Sequence, residues 1–406
     1  MMGDAVLQER LGQVASMRAE IEAGGDEAQQ LRRLPDDLVK SLVKAGFFRF
    51  ALPQALGGED ASSMDTVAIL EALAAIDASV AWNVMLGSEI NAMAAGGMDP
   101  ALAREVYLDN PDVIMCGGGG PGSSPPRAER AEGGGVRVWG QTTFISGCHN
   151  ADYCFMGAPL MRGEEMEKDA AGNPVFKLWF LPRDQWEILD TWDVAGLRGS
   201  GSHDVKADGA YVSDKFVGVD LMSLPAHYDN PVFRIPVPLR LAYNKVAVAL
   251  GVAKGALETF ADIAQSKIPM LSSSTLKNRP IAQYRVGECT AQYRAMRNYV
   301  MTAMSDVEDE LRAGAELPSA ATTQAARLAC VHATNECMKV VDVLHTAAGT
   351  SGMRMHSPLE RRLRDAHGCA THRWVAHPLY QDLGAILLGH EAPPEFAGGM
   401  GQPTPR

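Results

Sequence analysis

The chain has 406 residues, a formal net charge of −12, 46% apolar and 21% charged residues. That length asks for two or three packed units, and the acidic balance speaks against a phosphate-binding surface, so no nucleic-acid partner is expected. No run of about 18 apolar residues exists to span a membrane.

The opening, MMGDAVLQER, is polar and lacks the basic-then-apolar pattern of an export signal, which makes the cytoplasm the expected compartment. Residues 1–112 read as an N-terminal helical unit. Leu34-Pro35-Asp36-Asp37 opens one helix with proline and acids in the first turn, and Gly46 closes it. Residues 64–76 and 79–93 are Ala-rich helical candidates. Residues 113–230 change texture to a small β domain. Gly133-Gly134-Gly135 turns into the alternating strand 136–140, and 153–161, 175–181 and 205–212 are further strands. Residues 231–391 return to helix. Val246, Ala249, Leu250, Ala253, Leu257 and Phe260 share one face, and 281–312, 320–344 and 359–388 complete an expected antiparallel bundle. The tail, 392–406, is rich in Gly and Pro.

The expected fold class is therefore mostly α with a small β domain. Gly117-Gly118-Gly119-Gly120 is followed by Pro121 and no helix, so a dinucleotide loop is not visible. Seven cysteines, an odd number without Cys-x-x-Cys spacing, argue against disulfides and zinc.

Particular residues carry a family likeness, over roughly residues 31–390. Leu42-Val43-Lys44-Ala45-Gly46-Phe47-Phe48 and Leu52-Pro53-Gln54-Ala55-Leu56-Gly57-Gly58 resemble the N-terminal helical signature of acyl-CoA dehydrogenases. Asp77-Ala78-Ser79-Val80-Ala81-Trp82 looks like the helix that follows. Gly196-Leu197-Arg198-Gly199-Ser200-Gly201-Ser202 is similar to the family's β-domain loop. Leu344-His345-Thr346-Ala347-Ala348-Gly349 and Leu363-Arg364-Asp365-Ala366 resemble its flavin loop and Arg-Asp-Ala motif. The resemblance implies an N-terminal helical domain, a barrel-like β domain and a four-helix bundle.

Two details resemble the flavin-dependent monooxygenase branch instead of the dehydrogenases. One is the Ser146-Gly147-Cys148 segment. The other is the missing base: dehydrogenases carry a Glu shortly after the Arg-Asp-Ala motif, where this chain has His372-Arg373. Proton removal α to a thioester needs a carboxylate, whereas an imidazole can take a phenol proton or stabilise a developing anion. By resemblance, then, reduced flavin (FMN or FAD) arrives from a separate reductase and meets O2, and a small aromatic or heteroatom-containing substrate is oxygenated. His372 and Ser146 are the candidate catalytic residues, His372 as the base. Phe144, Ser146, Gly147, Cys148, Arg279, Ala347, Ala348 and Gly349 are candidates to hold the flavin, and Trp82, Asn91, Cys116 and His367 to line the substrate pocket. A homotetramer is implied. His367 and His372, read as sharing one helix, are not spaced to face one way, so no metal is expected. Two alternatives stay open: a desaturase whose base is Glu391 or Glu89, and a non-catalytic member of the fold. Ser146 closing a turn before Gly147 is the plain reading of that residue.

Overall fold

A computed structural model describes residues 2–170, 172–219 and 227–393; the tail from 394 on lies outside the described residues. Helices α1 (Asp4–Ser16), α2 (Arg18–Leu31), α3 (Asp36–Lys44), α4 (Ser63–Ile76), α5 (Ala78–Gly97) and α6 (Pro100–Leu108) precede the strands. Their ends follow local chemistry. Pro35 and the first-turn acids Asp36 and Asp37 start α3, where carboxylates complement the exposed N–H dipoles, and Gly46 at φ 76° ends the segment. Ser62 and Asp65 form a reciprocal capping box on α4. Asp77 accepts from the Val80 N–H at 2.9 Å and caps α5.

The strands are β1 (Met115–Gly117), β2 (Arg127–Arg130), β3 (Val136–Ile145), β4 (Tyr153–Arg162), β5 (Glu165–Met166), β6 (Phe176–Pro182), β7 (Trp186–Leu189) and β8 (His203–Val212). They form one sheet in the order β1-β4-β2-β3-β8-β7, with β5 and β6 paired to β4. The long β3–β8 ladder is antiparallel and runs five residues beyond the strand expected at 136–140. Alternate residues of β8 are buried, as a half-solvated sheet requires. Phe155, Trp179 and Phe180 fill its underside.

A short helix, α7 (Asp214–Val217), leads toward α8 (Val237–Ser266), α9 (Pro280–Arg312) and α10 (Ala320–Ala348), and α11 (Pro358–Ala370) and α12 (Leu379–Leu387) follow. Here one expectation is corrected. The span 359–388 is two helices, because the chain turns after Ala370 and Pro378 cannot continue a helix through its missing N–H. Helices α8 to α11 pack as the bundle, and their core is continuous with that of α1–α5. The sheet has a core of its own, shared with parts of α5 and α6.

Two features join these parts. Gly251 and Gly255, one turn apart on α8, meet Glu71, Ala74 and Ala75 of α4 so closely that a Cβ at Gly251 would stand 2.5 Å from the Ala74 Cβ. Glu71 is held from the other side by the Arg297 Nε at 2.8 Å and by the Tyr293 hydroxyl, both from α9. The second is Asp365 of α11, fully buried, whose Oδ1 accepts the Leu197 N–H at 2.6 Å from the loop before β8. The Arg-Asp-Ala motif thus has a structural role, latching the β domain to the bundle.

Burial, and then the neighbouring Asp77 carboxylate, raise Asp365 to about 7 from an ordinary 3.8. The folded chain therefore holds a proton that the unfolded chain releases. Stability from this group is full below about pH 4 and is lost as pH rises through about 7. Asp365→Asn keeps the acceptor for Leu197 and removes the ionisation. Its melting temperature should exceed that of the wild type above about pH 7, with a flatter pH slope. Parallel melting curves across pH check this, and equal slopes for the two proteins would refute it.

Candidate active site

Where β3 ends, the backbone makes a sharp corner. Phe144 sits at φ 60° and Gly147 at φ 72°, the latter a position glycine fills without strain. Between them Ser146, 7% exposed, points into a polar seam. The Trp82 Nε1–H of α5 donates to its Oγ at 3.1 Å, the Ser202 hydroxyl lies 2.7 Å from it, and the Ser200 hydroxyl 2.7 Å from Ser202. An indole N–H can only donate, so Trp82 occupies one Ser146 lone pair. Ser202 can donate to Ser146 or accept from it, and when Ser202 donates the Ser146 O–H is left to donate outward. Ser146 is thus held by the Trp82 and Ser202 side chains, and does more than close a turn.

His372 stands in the turn after α11, not on the helix as expected. Its ring meets Trp82 edge-on, with centroids 5.5 Å apart at 63°. Its Nδ1 accepts the Trp374 N–H at 3.4 Å. Burial, and then the charge of Lys245, lower this imidazole to about 3, so it is neutral. A neutral ring that accepts at Nδ1 carries its proton on Nε2. This arrangement favours hydrogen-bond donation to a developing oxyanion over the role of base read from sequence.

Trp82 therefore unites His372 and Ser146, residues 226 positions apart in the chain. Glu89 follows Trp82 by two turns on the same face of α5. Its Oε1 is bound by the Lys245 Nζ of α8 at 2.5 Å, whereas Oε2 is buried without a hydrogen-bond partner among the described residues. Lys245 and Arg240 are the residues that motif and pattern did not point to. The available signal was two cations within a long apolar helix, where charges are rarely buried without a partner or a ligand.

The other candidates divide. Cys116 lies beside Ser146 in a small cavity walled by Phe48, Gly87, Ile114 and Asn150. Cys148 is a packed thiol; burial pushes it up to about 12, and its Sγ–H donates to the Gly201 carbonyl at 3.3 Å. Phe144 is 65% exposed, its ring edge-on to Trp192 at 6.0 Å, which leaves an aromatic surface beside Ser146. Asn91 faces the opposite side of α5 from Trp82; its amide N–H donates to the Phe48 and Val113 carbonyls at 3.1 and 3.0 Å, and its Oδ1 is buried without a partner among the described residues. His367 is exposed and bound through Nε2 to Asp342 at 2.9 Å. Ala347, Ala348 and Gly349 end α10. Ala347 lines a groove of about 390 Å³ with Leu276, Ile281 and Arg285, and Arg279, exposed, heads α9 close by in sequence. The Ala348 carbonyl accepts from Lys267, and Gly349 takes φ 56°. The flavin candidates thus fall into two groups, one at Ser146 and one at the end of α10.

Among the described residues no group of three or more His, Cys, Asp or Glu could hold a metal.

Two family models match the chain. The family described as acyl-CoA dehydrogenase, N-terminal domain, matches residues 12–99, and that described as acyl-CoA dehydrogenase, C-terminal domain, matches 243–377. Indole-3-acetate monooxygenase of Acinetobacter baumannii is 29% identical over 360 residues, 89% of each chain. The oxygenase component of p-hydroxyphenylacetate 3-hydroxylase from Acinetobacter baumannii is 26% identical over 95% of this chain and 90% of its own. In structure, XiaF from Streptomyces sp., solved with FADH2 and glycerol, superposes with a TM-score of 0.83 at 21% identity, covering 95% of this chain and 96% of its own.

Proposed function

The chain belongs to the acyl-CoA dehydrogenase superfamily, in its flavin-dependent monooxygenase branch, and from that premise we propose that it is the oxygenase component of a two-component system acting on small aromatic substrates. A separate reductase would deliver reduced flavin, FMN or FAD. The residues of the first group fit such a ring: an aromatic surface at Phe144 and Trp192 beside the Ser146 hydroxyl. When bound, reduced flavin activates O2, one oxygen atom entering the substrate and the other leaving as water.

The chain's own residues position and exclude water. Ser146 would orient the flavin edge, and the neutral His372 would donate to oxygen charge that develops opposite Trp82. The observation that carries this reading is the joint contact of Trp82 with His372 and Ser146. The desaturase alternative lacks a poised carboxylate, since Glu391 is exposed beyond α12 and Glu89 is bound to Lys245. A homotetramer is part of the proposal, with the exposed Met270, Leu271, Met353 and Met355 as surface available to a partner copy. No described helix is long and apolar enough to cross a membrane, and a cytoplasmic location belongs to the same proposal.

The test supplies the purified chain with reduced flavin, ¹⁸O2 and a panel of phenols and indoles. Label in an aromatic product supports the proposal, and hydrogen peroxide as the sole product across the panel would sink it. Ser202→Ala should weaken binding of reduced flavin about threefold to tenfold, because Ser146 loses the 2.7 Å contact that fixes its hydroxyl, a hydrogen bond of about 1 kcal/mol. Ser202→Thr should restore it. Equal affinity in all three proteins would show the hydroxyl chain to be irrelevant.

A further inference from the structure

The exposed ring of Phe144 stands on a backbone at φ 60°, which a non-glycine residue keeps only where its surroundings enforce it. The ring meets Trp192, and Trp192 is tied at three points. Its indole N–H donates to the Leu197 carbonyl at 3.2 Å, and its own carbonyl accepts from Arg32 at 3.4 Å. Its backbone N–H donates to the Nδ1 of His203 at 3.2 Å. The same Nδ1 accepts the Thr191 N–H, also at 3.2 Å. His203, the first residue of β8, is 4% exposed. A ring that accepts twice at Nδ1 is neutral and carries its proton on Nε2. The Leu189 and Arg32 carbonyls face that ring.

We propose that His203 is a positioning residue for the flavin: through Nδ1 it holds the Thr191 and Trp192 amides, keeps the Trp192 ring against Phe144, and releases this aromatic wall when protonated. This rests on the monooxygenase reading and adds a residue to it. The hold depends on charge. A protonated ring carries an N–H on Nδ1, facing two other donors, and both bonds are lost. Asp190, 3.6 Å from the same nitrogen, is the partner such a ring takes instead. Asp190 follows β7 and is paired at 2.7 Å with Arg32 at the end of α2. The His149 ring lies 5.1 Å away on the other side, and Arg33, Arg183 and Asp36 act on it in turn. Burial lowers His203 against the pull of Asp190, so the neutral, accepting ring prevails near pH 7. The stability linked to it is full above the ordinary histidine value of 6.5 and is lost as pH falls below that.

Anaerobic binding titrations of the full chain with reduced FMN and reduced FAD test this. At about pH 8, His203→Leu should weaken binding about tenfold, the worth of the lost hydrogen bonds. His203→Asn sets Oδ1 where Nδ1 stood and should stay within about twofold of the wild type. Asn does not titrate, so the two proteins should part in acid. The Kd of the wild type relative to His203→Asn should rise below pH 6.5, approaching about tenfold per pH unit. Titration of the flavin itself cancels in that ratio. The rise should persist in His149→Gln, which removes the neighbouring imidazole. His203→Asn binding no better than a cooperatively folded His203→Leu would overturn the inference. So would a ratio flat from about pH 8 to 5, or a rise that His149→Gln abolishes. The ratio decides even where His203→Leu fails to fold. A wild type that binds flavin without these differences sinks the inference alone, and one that binds neither flavin sinks the monooxygenase reading with it.

Discussion

His372→Ala is expected to lower product formed per O2 consumed by about 10²- to 10³-fold, the usual cost of removing one preorganised donor from developing oxygen charge. Flavin binding should change little, since Ser146 and the groove at Ala347 are untouched, and the O2 consumed should appear as hydrogen peroxide. His372→Gln, which keeps an N–H donor, should recover part of the loss, whereas a base could not be replaced by an amide. The pH profile separates the two roles further. Burial lowers this imidazole to about 3, so the wild type should show no acid limb near pH 6 to 7 from this group. The stability linked to it is full above the ordinary histidine value of 6.5 and is lost as pH falls toward about 3. Product and peroxide assays across pH decide the matter, and unchanged coupling in His372→Ala removes the residue from the mechanism.

Gly251→Val should destabilise the chain by at least about 3 kcal/mol, at the upper end for overpacking. Side chains can often shift to admit a larger neighbour. Here the Cβ would overlap the backbone carbonyl of Glu71 and stand 2.5 Å from the Ala74 Cβ. Glu71 in turn is tied to Arg297, so α4 cannot retreat without breaking that ion pair. Gly287 of α9 provides the contrast. Nothing lies within 4 Å of a Cβ there, so Gly287→Ala should stabilise by about 0.4 to 1 kcal/mol. Denaturant titrations of the two variants check both signs. A Gly251→Val protein as stable as the wild type would mean that the α4–α8 contact is looser than described.

Much of the helical body was legible because its signals are local. Pro35, Asp36, Asp37 and Gly46 bound α3 within a few residues, and the apolar face from Val246 to Phe260 lies inside α8. The long strands were legible from alternation, although β3 ran further because β8 pairs with it along its length. The strands β1, β2 and β7 were not, since three or four residues carry no periodicity and exist only through their partners. At the site, Ser146, Trp82 and His372 came from motif likeness, and the structure brings them together. Asn91 lies apart from them, its amide bonded to backbone carbonyls. His372 was expected on the helix with His367, but α11 ends at Ala370 and leaves it in the following turn. Arg240 and Lys245 showed in the sequence only as two cations within a long apolar helix, since Glu89, which Lys245 binds, lies some 150 residues earlier.

The shared core of the N-terminal helices and the bundle has a consequence for how the protein is made. Nearly every residue of α5 is buried, and α4 packs mainly on α8. Yet about 140 residues separate the end of α5 at Gly97 from the start of α8 at Val237. At synthesis rates of about 5–20 residues per second, the ribosome leaves those apolar surfaces uncovered for roughly 7 to 28 s. Nascent chains of this protein should therefore bind hydrophobic-segment chaperones from the emergence of α4 until α8 clears the exit tunnel, and release them together.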